Sequence, residues 1–161
     1  YDALIEQVHG GGEPPVPRGA ELVRGDMRDA ERVRTALAGC DAVLHLAAEV
    51  GVGQSMYEIA RYVGANDLGT AVLLEALLDH PVRRLVVASS MSIYGEGCYA
   101  GRDGALVETA RRQADDLRAG RWEPRDEDGE PLSPRPTDER KRPDLASIYA
   151  LTKYAQEREV M

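Results

Sequence analysis

The chain has 161 residues, 43% hydrophobic and 30% charged, with 28 acidic against 20 basic residues, a net charge of −8 and no Phe. That length suits one domain with a single core, and the acidic excess leaves no chain-wide positive field for nucleic acid or an anionic membrane surface. No run approaches the ~18 apolar residues of a membrane span, and YDALIEQVHGGG lacks the basic and apolar parts of a signal peptide, which together point to a cytoplasmic protein. Cys40 and Cys98 stand outside any CxxC or Cys/His ligand spacing, so two reduced thiols are expected, with no disulfide framework and no metal site.

Residues 21–24 read as a short strand that turns at Gly25 into a helix. Asp29 is its N-cap, Gly39 its stop, and Ala30, Val33 and Leu37 share one face. Ala42–Leu46 is the next strand; AVLHLAA is apolar without alternation, the pattern of a strand buried on both faces of a parallel sheet. After a glycine-bearing loop over Glu49–Ser55, helical periodicity runs from Tyr57 to Leu78 until Pro81 ends it. Arg84–Ala88 is a third apolar strand. The β-α-β-α-β order predicts a parallel sheet with right-handed crossovers and helices on both faces, and places function at the carboxyl ends of the strands. From Gly95 to about Ala146 the chain turns to Gly, Pro and charges of both signs, and reads as a long surface excursion with one helix over Leu106–Leu117 and no core of its own. Ser147 then caps a last helix, SIYALTKYAQEREVM.

Four places carry chemistry. Tyr149 and Lys153 are four residues apart, which sets phenol and ammonium on one helix face. A free Tyr, with a pKa near ~10, is no base at neutral pH, but a nearby cation favours the phenolate and makes it a proton-transfer group. Alone, the spacing equally describes an exposed Tyr lying on a Lys stem. In VVASSMSIYG, hydroxyls leave a strand at its carboxyl edge, where a Ser can donate to a substrate oxygen or simply cap the strand. Gly25-Asp26-Met27 offers either a carboxylate for an adenine amine or a turn residue. His45-Leu46-Ala47-Ala48 offers small residues for close backbone approach, with His45 itself reading more simply as a core histidine.

Taken in order, GDMRD, VLHLAA, NDLGTAVLLEAL, VVASSMSIYG and SIYALTKYAQE resemble the extended short-chain dehydrogenase/reductase superfamily, in its NAD-dependent epimerase/dehydratase branch, over about residues 19–96 and 143–161. The resemblance implies an α/β fold with a Rossmann-like, doubly wound parallel sheet. The whole chain would be a partial NAD-binding domain with a surface insertion at about 96–146. By the same resemblance Tyr149 is the catalytic base, and Lys153 lowers its pKa and holds the nicotinamide ribose. Ser90, four residues before Tyr94-Gly95, matches the catalytic Ser/Thr, and Ser90, Met91, Ser92 and Tyr149 face the substrate. Asp26 and Met27 match the pair at the adenine, and Leu46, Ala47 and Ala48 the segment beside the ribose and phosphates. Asn66 matches the Asn that braces the active-site loops, and Ala88 and Ser89 the backbone near the nicotinamide. Asp2 matches the acidic residue at the ribose 2′-hydroxyl, which favours NAD over NADP.

The departures bear on the reaction. The Gly-rich GxxGxxG loop that takes the pyrophosphate, its flanking strand and helix, and the C-terminal segment with most nucleotide-sugar contacts are absent from these residues. The family's first strand lies in mid-sheet, so the Glu21–Arg24 strand is expected to lose its link to the other two, and residues 1–161 alone to bind NAD weakly or not at all. Met91 and Ser92 stand where the family's 4,6-dehydratases carry Asp and Glu, so their elimination machinery is missing. Ser-Tyr-Lys with NAD suffices for nucleotide-sugar 4-epimerisation through a transient 4-keto sugar. The insertion followed by SIYALTKYAQE resembles the dTDP-L-rhamnose 4-epimerase group. The implied partners are a dTDP- or UDP-linked sugar and a second copy of the chain, paired through two helices per subunit, with no nucleic acid and no membrane. Another family reaction, such as a nucleotide-sugar reductase or dehydratase, and a truncated non-catalytic interaction remnant are the alternatives.

Overall fold

A computed structural model describes residues 1–12 and 14–161, which divide into two compact units, Tyr1–Ser90 with Ser147–Met161, and Met91–Ala146. In the first unit, a short helix α1 (Glu6–His9) ends on Gly10 in the left-handed conformation, an element that sequence periodicity did not suggest. The expected strand at residues 21–24 is reduced to a parallel bridge between Asp2 and Arg24, closed by Asp2 N–H to Val23 O (3.1 Å) and Gly25 N–H to Asp2 O (2.9 Å). Helix α2 (Ala30–Leu37) begins where its sequence requires: the Asp29 carboxylate accepts from the Arg32 N–H at 3.1 Å. Strands β1 (Ala42–His45) and β2 (Arg84–Val87) pair in parallel, from Ala42 opposite Arg84 to His45 opposite Val87.

The short helix α3 (Val52–Ser55) lies in the stretch expected to be a loop, and the helix expected over Tyr57–Leu78 runs without a break from Ile59 to Asp79 as α4 (Ile59–Val63), a π-helical segment over Gly64–Leu68 and α5 (Gly69–Asp79). In the π segment the Gly69 N–H reaches back to the Gly64 carbonyl, five residues earlier. The last helix, α7 (Ile148–Val160), starts at the expected cap, with Ser147 Oγ accepting from the Ala150 N–H at 3.0 Å. It packs on α5, β2 and the π segment.

Strand alternation explains the core. Val43 and Leu85 point to the side where Val33, Leu37, Leu73 and Ala76 of α2 and α5 are buried, and His45 is buried as well. Leu44 and Val86, paired across the ladder, point the other way and are exposed, Leu44 by 71%. The expectation that Ala42–Leu46 is buried on both faces is therefore not met. The helices α2 and α5 cover the Val43 side, and no described element buries the opposite one. The Asp2–Arg24 bridge is separate from β1, and a groove of about 460 Å³, lined by Tyr1 and Asp2 on one side and Ala42, Leu44 and Leu46 on the other, lies between them.

The second unit departs from the plain excursion expected of it. Strands β3 (Cys98–Ala100), β4 (Leu106–Val107) and β5 (Ser133–Arg135) form an antiparallel sheet in the order β4-β3-β5. Tyr99, Ala110 and Leu132 make a small core of their own, with Val107 against it. The helix expected over Leu106–Leu117 is confined to α6 (Ala114–Arg118). Leu106 and Val107 pair with Ala100 and Tyr99 instead, a long-range choice that helical periodicity does not reveal.

Candidate active site

The site of the first unit is built from the end of β1, the π segment and α7. Tyr149 and Lys153 sit one turn apart on α7, as their spacing requires. The Tyr149 backbone N–H donates to Ser55 Oγ (3.0 Å), and its ring meets the buried Tyr62 edge-on at 6.5 Å between centroids. The Tyr62 hydroxyl donates towards Val50 O at 2.9 Å, so the tyrosine pair ties α7 to the loop after β1.

Lys153 is only 3% exposed, and its ammonium donates to Gln156 Oε1 at 2.7 Å. Burial lowers its pKa, an effect opposed by the Glu157 carboxylate. Around it lies a buried polar network: Gln156 Nε2 to Thr70 Oγ1 (2.7 Å), Thr70 Oγ1 to Asn66 O (2.7 Å), and His45 Nε2 against Thr70 Oγ1 (2.8 Å). Burial and the Lys153 charge depress the His45 pKa to about 4, so this imidazole is neutral at pH 7. Asn66 spans three elements. Its Oδ1 accepts from the Glu49 N–H (2.7 Å), and its Nδ2 donates to Glu49 O (3.1 Å) and to Thr152 Oγ1 (2.9 Å). The loop after β1 is thus fastened to α7 through one carboxamide.

A second cluster of expected residues lines a pocket of about 220 Å³, where Asp2, Asp26, Met27, Leu46, Ala47 and Ala48 meet. Arg28 bonds the Asp26 carboxylate at 2.9 and 2.6 Å and holds its pKa below the usual carboxylate range. Tyr1 donates to the Asp26 carbonyl (2.8 Å), and Asp2 Oδ1 accepts from the Leu4 N–H (2.7 Å), which keeps buried Leu4 at a φ of +50°. Arg61 reaches the pocket clamped by Glu49 (2.9 Å to each oxygen) and Glu58 (2.8 Å). Acceptors at Asp2 and Asp26, an apolar Met27 wall and the small Ala47 and Ala48 suit an adenosine-sized group.

Ala88 donates its N–H to His45 O (3.1 Å), which aligns the two strand ends. Ser89 and Ser90 follow β2 there, Ser89 exposed and Ser90 half-buried. Met91 and Ser92 belong to the other unit, where Met91 is exposed.

Residues 4–115 match the model of the NAD dependent epimerase/dehydratase family. Over 97% of its length the chain is also 36% identical to a dTDP-L-rhamnose 4-epimerase of Burkholderia thailandensis. The chain belongs to this family. Another relative in the family is a UDP-glucose 4-epimerase of Streptomyces lividans, 44% identical over 50% of this chain and 26% of its own. A dTDP-glucose 4,6-dehydratase of Streptomyces niveus is 37% identical over 65% of this chain and 33% of its own. Among solved structures, the UDP-glucose 4-epimerase of Thermus thermophilus in complex with NAD superposes with a TM-score of 0.63 at 26% identity, over 90% of this chain and 37% of that one. The chain spans 44% of the Burkholderia relative and less of the others.

Set beside this family architecture, Gln156, Thr70, Thr152, Ser55 and Tyr62 are the site-building residues that motif reading passed over. Gln156 and Thr70 each had a signal, three residues after Lys153 and four after Asn66, the spacings that share a helix face.

Proposed function

We propose that the full-length protein carrying this chain is an NAD-dependent nucleotide-sugar 4-epimerase acting on a dTDP- or UDP-linked sugar. The observation that carries this reading is the Tyr149–Lys153 pair, set one turn apart on a capped helix with the lysine buried. The match to a dTDP-L-rhamnose 4-epimerase over nearly the whole chain supports it.

In this reading Asp2 takes the adenosine ribose, Asp26 and Met27 the adenine, and Leu46, Ala47 and Ala48 lie along the ribose and phosphates. Asn66 holds the loop, Ala88 and Ser89 flank the nicotinamide, and Tyr149 and Lys153 hold its ribose. NAD, when bound, supplies the hydride acceptor and donor. The chain's own part is proton handling: Tyr149 Oη takes the proton of the sugar 4-hydroxyl and later returns it, and the Ser90 hydroxyl donates to the same sugar oxygen. Met91 and Ser92 bring no carboxyl group for eliminating water, and homodimerisation through helices of the Tyr57–Leu78 and Ser147–Met161 stretches completes the reading.

The test is turnover of dTDP- and UDP-hexoses by the full-length protein. Tyr149→Phe is expected to lower kcat by about 10²-fold or more, the usual worth of a positioned base. Unchanged epimerisation in that variant overturns the mechanism. A 4-keto-6-deoxy product supports instead the dehydratase reading that the Streptomyces relative raises, and no turnover at all supports a non-catalytic remnant.

A further inference from the structure

The short contacts of the polar network beneath Lys153 orient its protons. An ammonium has donors and no acceptor, so the carbonyl end of the Gln156 amide faces Lys153 (2.7 Å) and its NH₂ end faces Thr70 Oγ1 (2.7 Å). The single hydroxyl proton of Thr70 goes to Asn66 O at 2.7 Å, the shorter of the two side-chain contacts to that carbonyl, the other being Gln156 Nε2 at 3.4 Å. Thr70 Oγ1 is then an acceptor towards both Gln156 and His45, and His45 carries its proton on Nε2 (2.8 Å). The 3.3 Å between Gln156 Nε2 and His45 Nε2 is accordingly donor beside donor and no bond. The Gln156 side chain is fully buried, so no water competes for these roles.

We propose that Gln156 is a positioning residue for Lys153: its amide, anchored on Thr70 of α5, fixes the ammonium at the buried end of β1 and supplies the acceptor that keeps it charged there. This deepens the reading of Tyr149 and Lys153 as a proton-transfer pair and rests on it. One of the three ammonium donors is used by Gln156, and the other two remain for other acceptors. Glu157 of α7 is the charged group that raises the Lys153 pKa against burial; β1 presents His45, neutral at pH 7, and the π segment and α5 present the uncharged Asn66 and Thr70. Neither Glu157 nor His45 supplies an acceptor at 2.7 Å as Gln156 does.

The test pairs Gln156→Leu, which keeps the volume and removes the acceptor, with Gln156→Glu, which keeps an acceptor and adds charge. In the 161-residue chain, Lys153 ionisation is followed by NMR of its ε-carbon. Gln156→Leu is expected to lower the titration midpoint by about one pH unit or more, and Gln156→Glu to raise it above the wild-type value. In the full-length enzyme, the alkaline limb of kcat moves to lower pH in Gln156→Leu, with KM for the nucleotide sugar changed less than about twofold, and Gln156→Glu returns the limb. Unmoved midpoints in both variants, or a lower kcat with an unmoved limb, overturn the proposal. If Gln156→Leu does not fold, the Gln156→Glu midpoint decides: a carboxylate in the acceptor position raises it above the wild-type value, and a midpoint at or below wild type overturns the proposal. A wild-type protein that epimerises no sugar defeats the functional reading alone, while the NMR midpoints still judge Gln156.

Discussion

At the scale of single residues, His45 shows how burial chooses a protonation state. Its native pKa, about 4, lies below the ordinary 6.5 because burial and the Lys153 charge both disfavour the imidazolium. As pH falls through 6.5 the unfolded chain takes up a proton that the native chain refuses until about 4, so stability falls across that window and levels off below it. Taking about 1.4 kcal/mol per unit and allowing for partial solvation, the loss is on the order of 2 kcal/mol. Urea unfolding at pH 7 and pH 4.5 measures it, and His45→Gln, which keeps a donor for Thr70 without titrating, flattens that part of the profile. Tyr149 and Lys153 were legible from spacing alone, since four residues make one helical turn. The partner of Lys153 was not, because KxxQ marks the same stripe without saying that the stripe is buried.

Among the elements, the two capped helices were the most legible, because a cap is a local bargain between one side chain and one N–H. Ser147→Ala removes the acceptor for the Ala150 N–H at the start of α7 and is expected to cost about 1 kcal/mol in chemical denaturation, with Ser147→Asp recovering most of it. The stretch between Tyr57 and Leu78 was legible only as helical. Its π segment adds one residue to a turn, which leaves the apolar stripe readable while turning Asn66 towards Glu49 and Thr152. The gain is tertiary, a carboxamide that makes two bonds to the Glu49 backbone and one to buried Thr152, and no local propensity encodes it.

For the whole molecule, the sheet decides which hydrophobic residues matter. Leu73 is buried between α2 and the sheet, and Leu73→Ala is expected to cost about 2–5 kcal/mol. Leu44→Thr, on the exposed face of β1, stays within about 0.5 kcal/mol of wild type in the same urea titration, although both residues sit in equally apolar runs of sequence. A large loss for Leu44→Thr means that something covers that face in solution. The amino-acid sequence by itself determined the α/β order, the parallel β1–β2 pairing, both helix caps, the Tyr149–Lys153 face and the family, because periodicity, caps and ordered motifs act over a few residues at a time. The tertiary structure alone decided which strand face is buried, that residues 91–146 form a unit with its own small core, and that Lys153 is held by Gln156 over Thr70 and His45. Burial and proton placement depend on partners as far as 86 residues apart, which no local pattern brings together.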